Sequence, residues 1–315
     1  KIFYKSLMAE AKEQSKVKRS DLYDKNTEKN KLTEWLDIAL NDCDDSWTKI
    51  DDNECKIHWK TIKPKGYDYD CLLIRSELIF KDNDASILNY FDYQKCGYKI
   101  NNSNWIKDKG ISEEKLIQTI DDDRDIAYTS HYSPASLVIS AREWLYMKLR
   151  LKFNYYKSSN TGKEYKQNMG GVFFYSITDK NHPYWVKPKP KHVRGSIIYN
   201  GYLLIEQNKG EIRMIKSTCA DPAGSIPTWI LKTQVANQAR GVVDTKKAWP
   251  KIMEIVNNRR DKQLKQDCDI LFEDSDFDHL PIKTVDNNAD ADAPNDDVKN
   301  NGDDNANDNA NADDG

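Results

Sequence analysis

Histidine, serine and acidic residues in this chain do not combine into a recognisable catalytic motif. None of the five histidines belongs to a His-Glu-x-x-His zinc motif, and the chain has neither a Gly-x-Ser-x-Gly turn nor a glycine loop that would cradle phosphate. His131 lies two residues before Ser133, but no acidic residue is recognisable that would orient it. The consecutive acids at 44–45 and 121–123 are typical of solvated turns. We therefore expect no catalysis, no metal and no organic cofactor.

Aromatic and cationic residues alternate with apolar ones from Arg142 onward, which is the period of a β-strand. Trp144, Tyr146 and Lys148 would share one face of this strand. The other face would carry Leu145, Met147, Leu149 and Leu151. Composition alone turns the apolar set inward. An aromatic and lysine face would instead suit a ligand with charged groups, because aromatic rings attract cations and a buried ammonium needs an anion nearby.

A second informative segment joins a strand to a long amphipathic helix. Asp221-Pro222-Ala223-Gly224-Ser225-Ile226-Pro227-Thr228-Trp229 ends the strand that starts at Glu211, and Ser225 is placed to cap a helix whose first turn tolerates Pro227. The apolar stripe of that helix comprises Leu231, Val235, Ala239, Val242, Trp249, Met253 and Val256. Pro250 lies inside the pattern and predicts a kink or a split near Trp249.

Upstream of that joint, the pattern predicts one helix at Glu28 to Leu40 followed mainly by strands. The strand-like runs are mostly adjacent in sequence and are joined by turn residues such as Asn160-Thr161-Gly162 and Asn208-Lys209-Gly210, which favours an antiparallel meander. Val193 to Gln207 is expected to be one continuous strand.

These segments resemble the START family, the lipid-transfer domains related to the steroidogenic acute regulatory protein. The resemblance rests on Asp-Pro-x-Gly-Ser-Ile-Pro-x-Trp at 221–229, on Arg142-Glu143-Trp144-Leu145-Tyr146, and on Val193 to Glu206, and it covers roughly residues 32–260. It implies an α+β helix-grip fold, in which a curved antiparallel sheet wraps a long C-terminal helix around an internal lipid cavity. The bound lipid would be the only ligand, and the protein would carry it between membranes.

Phosphatidylcholine-transfer members of this family receive the choline head with three aromatic residues, and the resemblance places these at Tyr128, Trp144 and Tyr199. Their phosphate partner is an arginine, but Asn102 stands at that position here, so Lys148 is the best substitute. The departure leaves open a sterol or fatty acid as the ligand. A third alternative is a lipid-sensing or protein-interaction module without transfer activity.

The same resemblance points Trp144, Tyr146 and Lys148 into the cavity, against the orientation that composition favours. It also predicts the walls and the door of the cavity. Wall residues would be Tyr146, Val172, Phe174, Ile198, Leu203 and Ile215, and lid residues Leu231, Val235, Ala239, Val242 and Trp249. The apolar loop from Tyr132 to Ala141, with Leu137, Val138 and Ile139, is similar to the family's gate loop. His182 to Lys191 places two aromatics beside three lysines, which favours transient contact with an anionic membrane surface; the alternative is a rigid proline-rich hairpin loop.

Charge divides the chain into a mildly basic body and an acidic tail. Residues 286–315 contain ten Asp and one Lys, a charge of −9, so the overall −3 leaves +6 for residues 1–285. We expect a charged extension at 1–30, a START-like domain at 31–262 and a disordered Asn/Asp-rich tail at 263–315. Such appendages on a START-like body resemble the fam-a proteins of malaria parasites.

Localisation follows from that second resemblance and from the start of the chain. The chain begins at Lys1, which is compatible with removal of a targeting segment, and we expect a protein that is secreted or exported into a host cell. No stretch is long and apolar enough to span a membrane, and no nucleic-acid partner is expected. Six cysteines are spread singly and indicate neither a metal site nor a disulfide framework.

Overall fold

A computed structural model describes residues 24–50, 52–82, 86–96, 111–132, 140–223, 226 and 228–264. The predicted gate residues Leu137, Val138 and Ile139 lie outside these residues, as do Asn102 and the acidic tail. The division into an extension, a domain and a tail therefore remains a prediction.

The described residues form four helices and twelve strands. The helices are α1 (Lys25–Leu40), α2 (Ile87–Cys96), α3 (Thr228–Ala239) and α4 (Gly241–Leu264). The strands are β1 (Thr48–Ile50), β2 (Lys56–Ile62), β3 (Cys71–Lys81), β4 (Ile111–Thr119), β5 (Arg124–His131), β6 (Ala141–Phe153), β7 (Tyr156–Lys157), β8 (Glu164–Tyr165), β9 (Met169–Ser176), β10 (His192–Arg194), β11 (Ser196–Asn208) and β12 (Glu211–Asp221).

Ten of these strands make one sheet, with the order β1-β2-β3-β12-β11-β9-β6-β5-β4. All neighbours on this path pair antiparallel, as the meander predicts, and β10 pairs with the start of β6 in parallel. The large antiparallel sheet with C-terminal helices confirms the predicted α+β class. Strands β7 and β8 form a separate two-stranded ribbon.

Helix α1 covers one side of the sheet, which we call the α1 side. The Asp24 carboxylate caps the helix by accepting the backbone N–H of Asn26 at 3.0 Å and of Thr27 at 3.3 Å, so the helix starts three residues earlier than predicted. Its buried face includes Trp35, whose ring lies 5.1 Å from that of Phe173. The indole rests on Gly201, where an added Cβ would lie 2.5 Å from Trp35 Cζ2. A glycine in β11 therefore makes room for the largest side chain of the helix.

Helices α2, α3 and α4 pack against the other side, which we call the α4 side. Trp249 of α4 contacts Phe80 edge-on at 5.1 Å and stacks on Tyr90 of α2 at 6.3 Å. Apolar residues of the sheet complete this cluster: Ile57, Ile74, Leu78, Val172, Leu204, Ile212 and Met214. The sheet is thus buried on both sides, which explains why β6 carries no solvent-exposed face along most of its length.

The C-terminal helix is interrupted, but at Arg240 and not near Pro250. Lys216 Nζ donates to the carbonyl of Gln238 at 2.6 Å, and Gly241 lies so close to Tyr202 Oη and Lys216 Nζ that an added Cβ would be within 2.7 Å of both. This close approach to β11 and β12 separates α3 from α4. Pro250 lies within the continuous helix α4, so the predicted split near Trp249 is wrong, whereas a kink there stays a prediction.

The segment predicted as one strand from Val193 to Gln207 is also interrupted. Strand β10 ends at Arg194, and the Gly195 N–H donates to the carbonyl of Glu143 at 3.0 Å. An added Cβ at Gly195 would lie 2.6 Å from Trp144 Nε1. The chain changes its partner here, from β6 before Gly195 to β9 and β12 after it.

We predict that Gly201→Ala destabilises the protein by about 1–3 kcal/mol, because the methyl group would collide with Trp35 and with the carbonyl oxygen of Val172. The matched control is Ser217→Ala on β12, directly opposite Gly201 and fully buried, where the hydroxyl has no partner among the described residues. This control should be neutral or stabilising. Urea denaturation measures both, and an unchanged midpoint for Gly201→Ala would contradict the packing of α1 on the sheet.

Candidate functional site

The register of β6 with its neighbours decides which side chains can meet. Residues directly opposite each other in an antiparallel pair point to the same side of the sheet. Leu145, Met147 and Leu149 belong to the cluster under α1, so Trp144, Tyr146 and Lys148 point to the α4 side. The orientation inferred from the resemblance is the one that the structure has, and the Leu/Met set is buried as well.

Shielded polar side chains surround these three residues on the α4 side. Tyr146 Oη lies 2.9 Å from Thr129 Oγ1, and its ring meets Phe174 edge-on at 5.6 Å. Cross-strand pairing places Lys148 beside Phe174, Phe174 beside Asn200, and Asn200 beside Thr218. Thr129, Tyr146, Lys148, Ser176 and Thr218 are only 4–7% exposed. None of these residues belongs to the apolar cluster around Trp249, so this part of the α4 side is buried yet polar.

Two polar atoms in this region have no hydrogen-bond partner among the described residues. They are the indole Nε1 of Trp144, a donor, and the amide Oδ1 of Asn200, an acceptor, and both are shielded from solvent. Buried polar atoms are nearly always satisfied in folded proteins, since leaving one unpaired costs about 1–3 kcal/mol. A polar ligand group that reached either atom on this side of the sheet would remove that cost for it.

Lys148 is 4% exposed, and its ammonium donates to the carbonyl of Gln94 at 2.9 Å. Gln94 lies in the last turn of α2, where the helix dipole favours a cation. Burial raises the pKa of Glu114, and the positive charge of Lys148 opposes that rise. Lys148 therefore lies in a partly compensated electrostatic environment before any ligand is considered.

Tyr128 and Tyr199 are not close to Trp144, so the prediction of a three-aromatic site is wrong. Tyr128 pairs with Leu145 and donates to Glu143 Oε2 at 2.8 Å on the α1 side. Tyr199 is fully buried in the cluster under α1 and pairs with Cys219. The physical reason is strand alternation, because a shift of one position reverses the side on which a residue lies.

Three of the predicted wall residues lie on the same wrong side. Leu203 and Ile215 pair with each other in the cluster under α1, together with Ile198, so they cannot line a space beneath α3 and α4. The remaining wall and lid residues lie on the α4 side or in its helices. Val172, Val235, Ala239, Val242 and Trp249 are buried in its apolar cluster, Phe174 packs against it, and Leu231 is partly exposed.

The sequence-based prediction missed Thr129, Ser176, Asn200, Thr218 and Glu114. Each is an unremarkable polar residue in a strand, and only its register with the neighbouring strands brings it to the α4 side. Alternation within each strand was readable, but the offset between strands was not. That offset would have excluded Tyr128 and selected Thr129.

One end of the sheet carries the strand ends that flank the predicted gate loop, and we call it the gate end. It comprises the end of β5 at His131, the start of β6 at Ala141 and the end of β12 at Asp221. Arg142 links these elements, because its guanidinium donates to the carbonyls of Pro222 at 2.7 Å and Ala223 at 3.0 Å. Ala223 has a left-handed backbone, with φ 54. The strand-to-helix joint is thus tied to the residues that follow the predicted gate loop.

His131 contacts the edge of Trp144 at the gate end, with 4.7 Å between ring centroids. Burial lowers the pKa of His131 from 6.5 to about 4, so the ring is neutral at physiological pH. Burial disfavours the charged form of the imidazole, and the pKa falls for that reason. The pair therefore belongs to the same sheltered region as Tyr146 and Thr129.

The described residues include neither a metal-binding cluster nor a membrane-spanning helix. That part of the chain contains no group of three or more His, Cys, Asp or Glu arranged to hold a metal ion. No helix in it combines the length and apolar character needed to cross a membrane.

Comparison with solved structures identifies the architecture. Human StAR-related lipid transfer protein 5 superposes with a TM-score of 0.51 and 16% sequence identity, over 74% of this chain and 96% of that one. The chain has the START fold. Human STARD10 gives a TM-score of 0.47 at 15% identity, over 74% of this chain and 80% of that one. No protein-family model and no curated protein matches the sequence.

We predict that acidification destabilises this START fold partly through His131. Its folded pKa, about 4, is below the ordinary 6.5, so its stabilising contribution is complete above 6.5 and is lost as the pH falls toward 4. The melting temperature of His131→Gln should fall less over that interval than that of the parent protein. His182→Gln, in an exterior turn, serves as the control and should follow the parent; identical curves for all three proteins would contradict the burial of His131.

Proposed function

We propose that the protein binds one lipid molecule between the sheet and helices α3 and α4, and carries it between membranes. The observation that carries this proposal is the division of the α4 side into two parts. Near Trp249 it is densely apolar, whereas toward the gate end it holds shielded polar groups and part-buried aromatic rings. An amphiphile has the same division, with an apolar body and a polar end.

The energetic requirement explains why such a carrier must enclose its cargo. A two-chain lipid with roughly 30 methylenes would lose about 24 kcal/mol of hydrophobic stabilisation in water, at about 0.8 kcal/mol per methylene. An open groove would recover only part of this. A sheet closed by a helix layer can recover most of it, and the START fold provides that arrangement. The name of the human protein with this fold, a lipid transfer protein, supports the same use here.

The proposal predicts that the chain purifies with lipid bound. Native mass spectrometry under gentle conditions should show an added mass of one lipid, and organic extraction followed by lipid analysis should identify it. The protein should also move a fluorescent lipid between donor and acceptor vesicles. Consistently empty protein that moves none of phosphatidylcholine, sterol or fatty acid would remove the proposal.

For the ligand we propose phosphatidylcholine first, with the choline near Trp144 and the phosphate near Lys148. With Tyr128 and Tyr199 on the other side, the aromatic residues that β6 and β9 present to the α4 side are Trp144, Tyr146 and Phe174. Each contact between an aromatic ring and a dry cation contributes about 0.5–2 kcal/mol. Lys148 lies on the same strand as Trp144 and Tyr146, on the same side of the sheet.

We predict that Trp144→Ala lowers affinity for phosphatidylcholine by about 0.5–2 kcal/mol, through loss of the cation–π contact. The control is Tyr199→Phe, which alters an aromatic residue of the same predicted trio but on the α1 side. It should leave affinity unchanged. Titration with a fluorescent phosphatidylcholine measures both, and a larger loss for Tyr199→Phe than for Trp144→Ala would place the headgroup elsewhere.

A sterol or a fatty acid is the second candidate, and a specific observation favours it. Lys148 already donates to Gln94 and interacts with Glu114, so its burial does not require a phosphate. Trp144 Nε1 is a shielded donor without a hydrogen-bond partner among the described residues, and the oxygen of a hydroxyl or a carboxylate can accept from it.

Substitution of Lys148 by Met separates the two ligands, because it removes the charge while keeping an unbranched side chain. Phospholipid binding should fall at least tenfold if the phosphate contacts the ammonium, since hydrogen bonds to charged groups contribute about 1.5–3 kcal/mol. Sterol binding should persist. Circular dichroism is needed as a control on folding, because the ammonium also holds α2 through Gln94.

A further inference from the structure

The segment His182 to Lys191 is held firmly against the sheet by one buried carboxylate. Glu143 is fully buried and accepts hydrogen bonds from Arg194 Nη2 at 2.7 Å and Nε at 3.0 Å, and from the backbone N–H of Lys189 at 3.3 Å. Arg194 Nη2 also donates to the carbonyl of Val186 at 3.1 Å. Breaking a buried ion pair of this kind costs about 3–5 kcal/mol, so the segment has a fixed attachment.

The attachment turns an unusual set of side chains outward. Tyr184 is buried and Trp185 packs against the cluster under α1, whereas Val186 is 45% exposed. Lys187, Lys189 and Lys191 are exposed as well, separated by Pro188 and Pro190. Lys189 contacts the ring of Tyr128 and pairs with Glu113, but in the described part of the chain neither Lys187 nor Lys191 has an ion-pair partner. The surface therefore combines free positive charge with an exposed apolar side chain.

Charge over this stretch is strongly one-sided. From Asp179 to Arg194 the sequence has five basic residues against one acid. The Asp179 side chain accepts the backbone N–H of Asn181 at 2.8 Å in a local turn, away from the three lysines in sequence. A region of this charge attracts an anionic surface, and the attraction is strongest within about 10 Å at moderate ionic strength.

The surface lies at the gate end of the sheet. Strand β10, which follows it directly, pairs with β6 from Ala141 to Glu143, at the point where the chain returns from the predicted gate loop. Tyr132, at the other side of that loop, is 63% exposed. The exposed aromatic ring, the exposed valine and the lysines are therefore all at the end where α3 begins after β12.

We propose that residues 182–191 form a docking surface for an anionic lipid bilayer, with Lys187 and Lys191 near lipid headgroups and Val186 entering the interface. A bilayer fits better than an acidic protein because the exposed apolar contribution of this segment is a single valine, set among lysines and prolines. Docking here brings the gate end to the membrane. Its use in delivery rests on the proposed lipid carriage, although the docking itself does not.

The test is vesicle co-sedimentation of the full chain carrying Lys187→Gln and Lys191→Gln together. Each lysine near an anionic surface contributes about a fivefold gain in binding, so the double variant should bind phosphatidylserine-containing vesicles about 25-fold more weakly. The matched control, Lys209→Gln with Lys251→Gln, removes the same charge from exposed positions in the β11–β12 turn and α4, and should bind like the parent. Added salt should weaken binding of the parent and control proteins.

Two results would overturn the proposal. One is equal binding of the parent protein to phosphatidylserine-containing vesicles and to vesicles of phosphatidylcholine alone. The other is an equal loss in the two double variants, which would show that only net charge matters. Lipid content, measured by extraction from the same proteins, reports separately on carriage: a protein that docks but holds no lipid would disprove the proposed function and leave the docking surface intact.

Discussion

Strand β6 is buried on both sides, and this constraint organises the rest of the molecule. Because side chains alternate, one thirteen-residue strand must supply two interiors at once. Its leucines and its methionine meet α1, while Trp144, Tyr146 and Lys148 face the C-terminal helices. The α1 side is closed by large apolar groups such as Trp35 and Phe173, so it is suited to stability. Among the described residues, the shielded polar side chains of the other side belong to no comparable apolar cluster, and this asymmetry is what makes a ligand physically reasonable there.

The buried carboxylate of Glu143 connects the α1 side of the sheet to the lysine-rich segment at the surface. It lies on the α1 side, next to Trp144 in sequence but opposite in direction, and it binds Arg194, Tyr128 and the backbone of Lys189. A single charge thus fixes the start of β6, the side chain predicted for choline binding and the lysine-rich segment. Tyr128 is aromatic and close to a lysine, with Lys189 Nζ 5.1 Å from its ring. It packs on the α1 side, however, and not on the side proposed for the ligand.

The sequence was sufficient for the fold and insufficient for the site, and the difference has a physical basis. The joint at 221–229, the alternation in β6 and the turns of the meander are local, so the architecture was predictable from short segments. The side on which Tyr128 lies depends on how β5 aligns with β6, and that alignment cannot be read from the alternation within either strand. In β11, an irregularity between Ile197 and Tyr199 puts two successive residues, Ile198 and Tyr199, in the same cluster. Strand alternation alone does not predict this irregularity. The break at Arg240 could not be predicted for a similar reason. It depends on a contact between two elements, in which Lys216 of β12 donates to the carbonyl of Gln238 in α3.

The C-terminal segment is held in two different ways on either side of that break. Helix α4 contributes Trp249, Ile252 and Met253 to the apolar cluster with Phe80 and Tyr90, far from the gate end. At the junction, Arg240 donates to Asp52 at 2.6 Å and pairs with Glu54, so the end of α3 is attached to the β1–β2 connection by polar contacts at the surface. Surface ion pairs contribute about 0–1 kcal/mol each, much less than a buried tryptophan in its cluster. Helix α3 also contributes Val235 and Ala239 to that cluster, so displacing either C-terminal helix would cost part of the apolar packing on which folding depends.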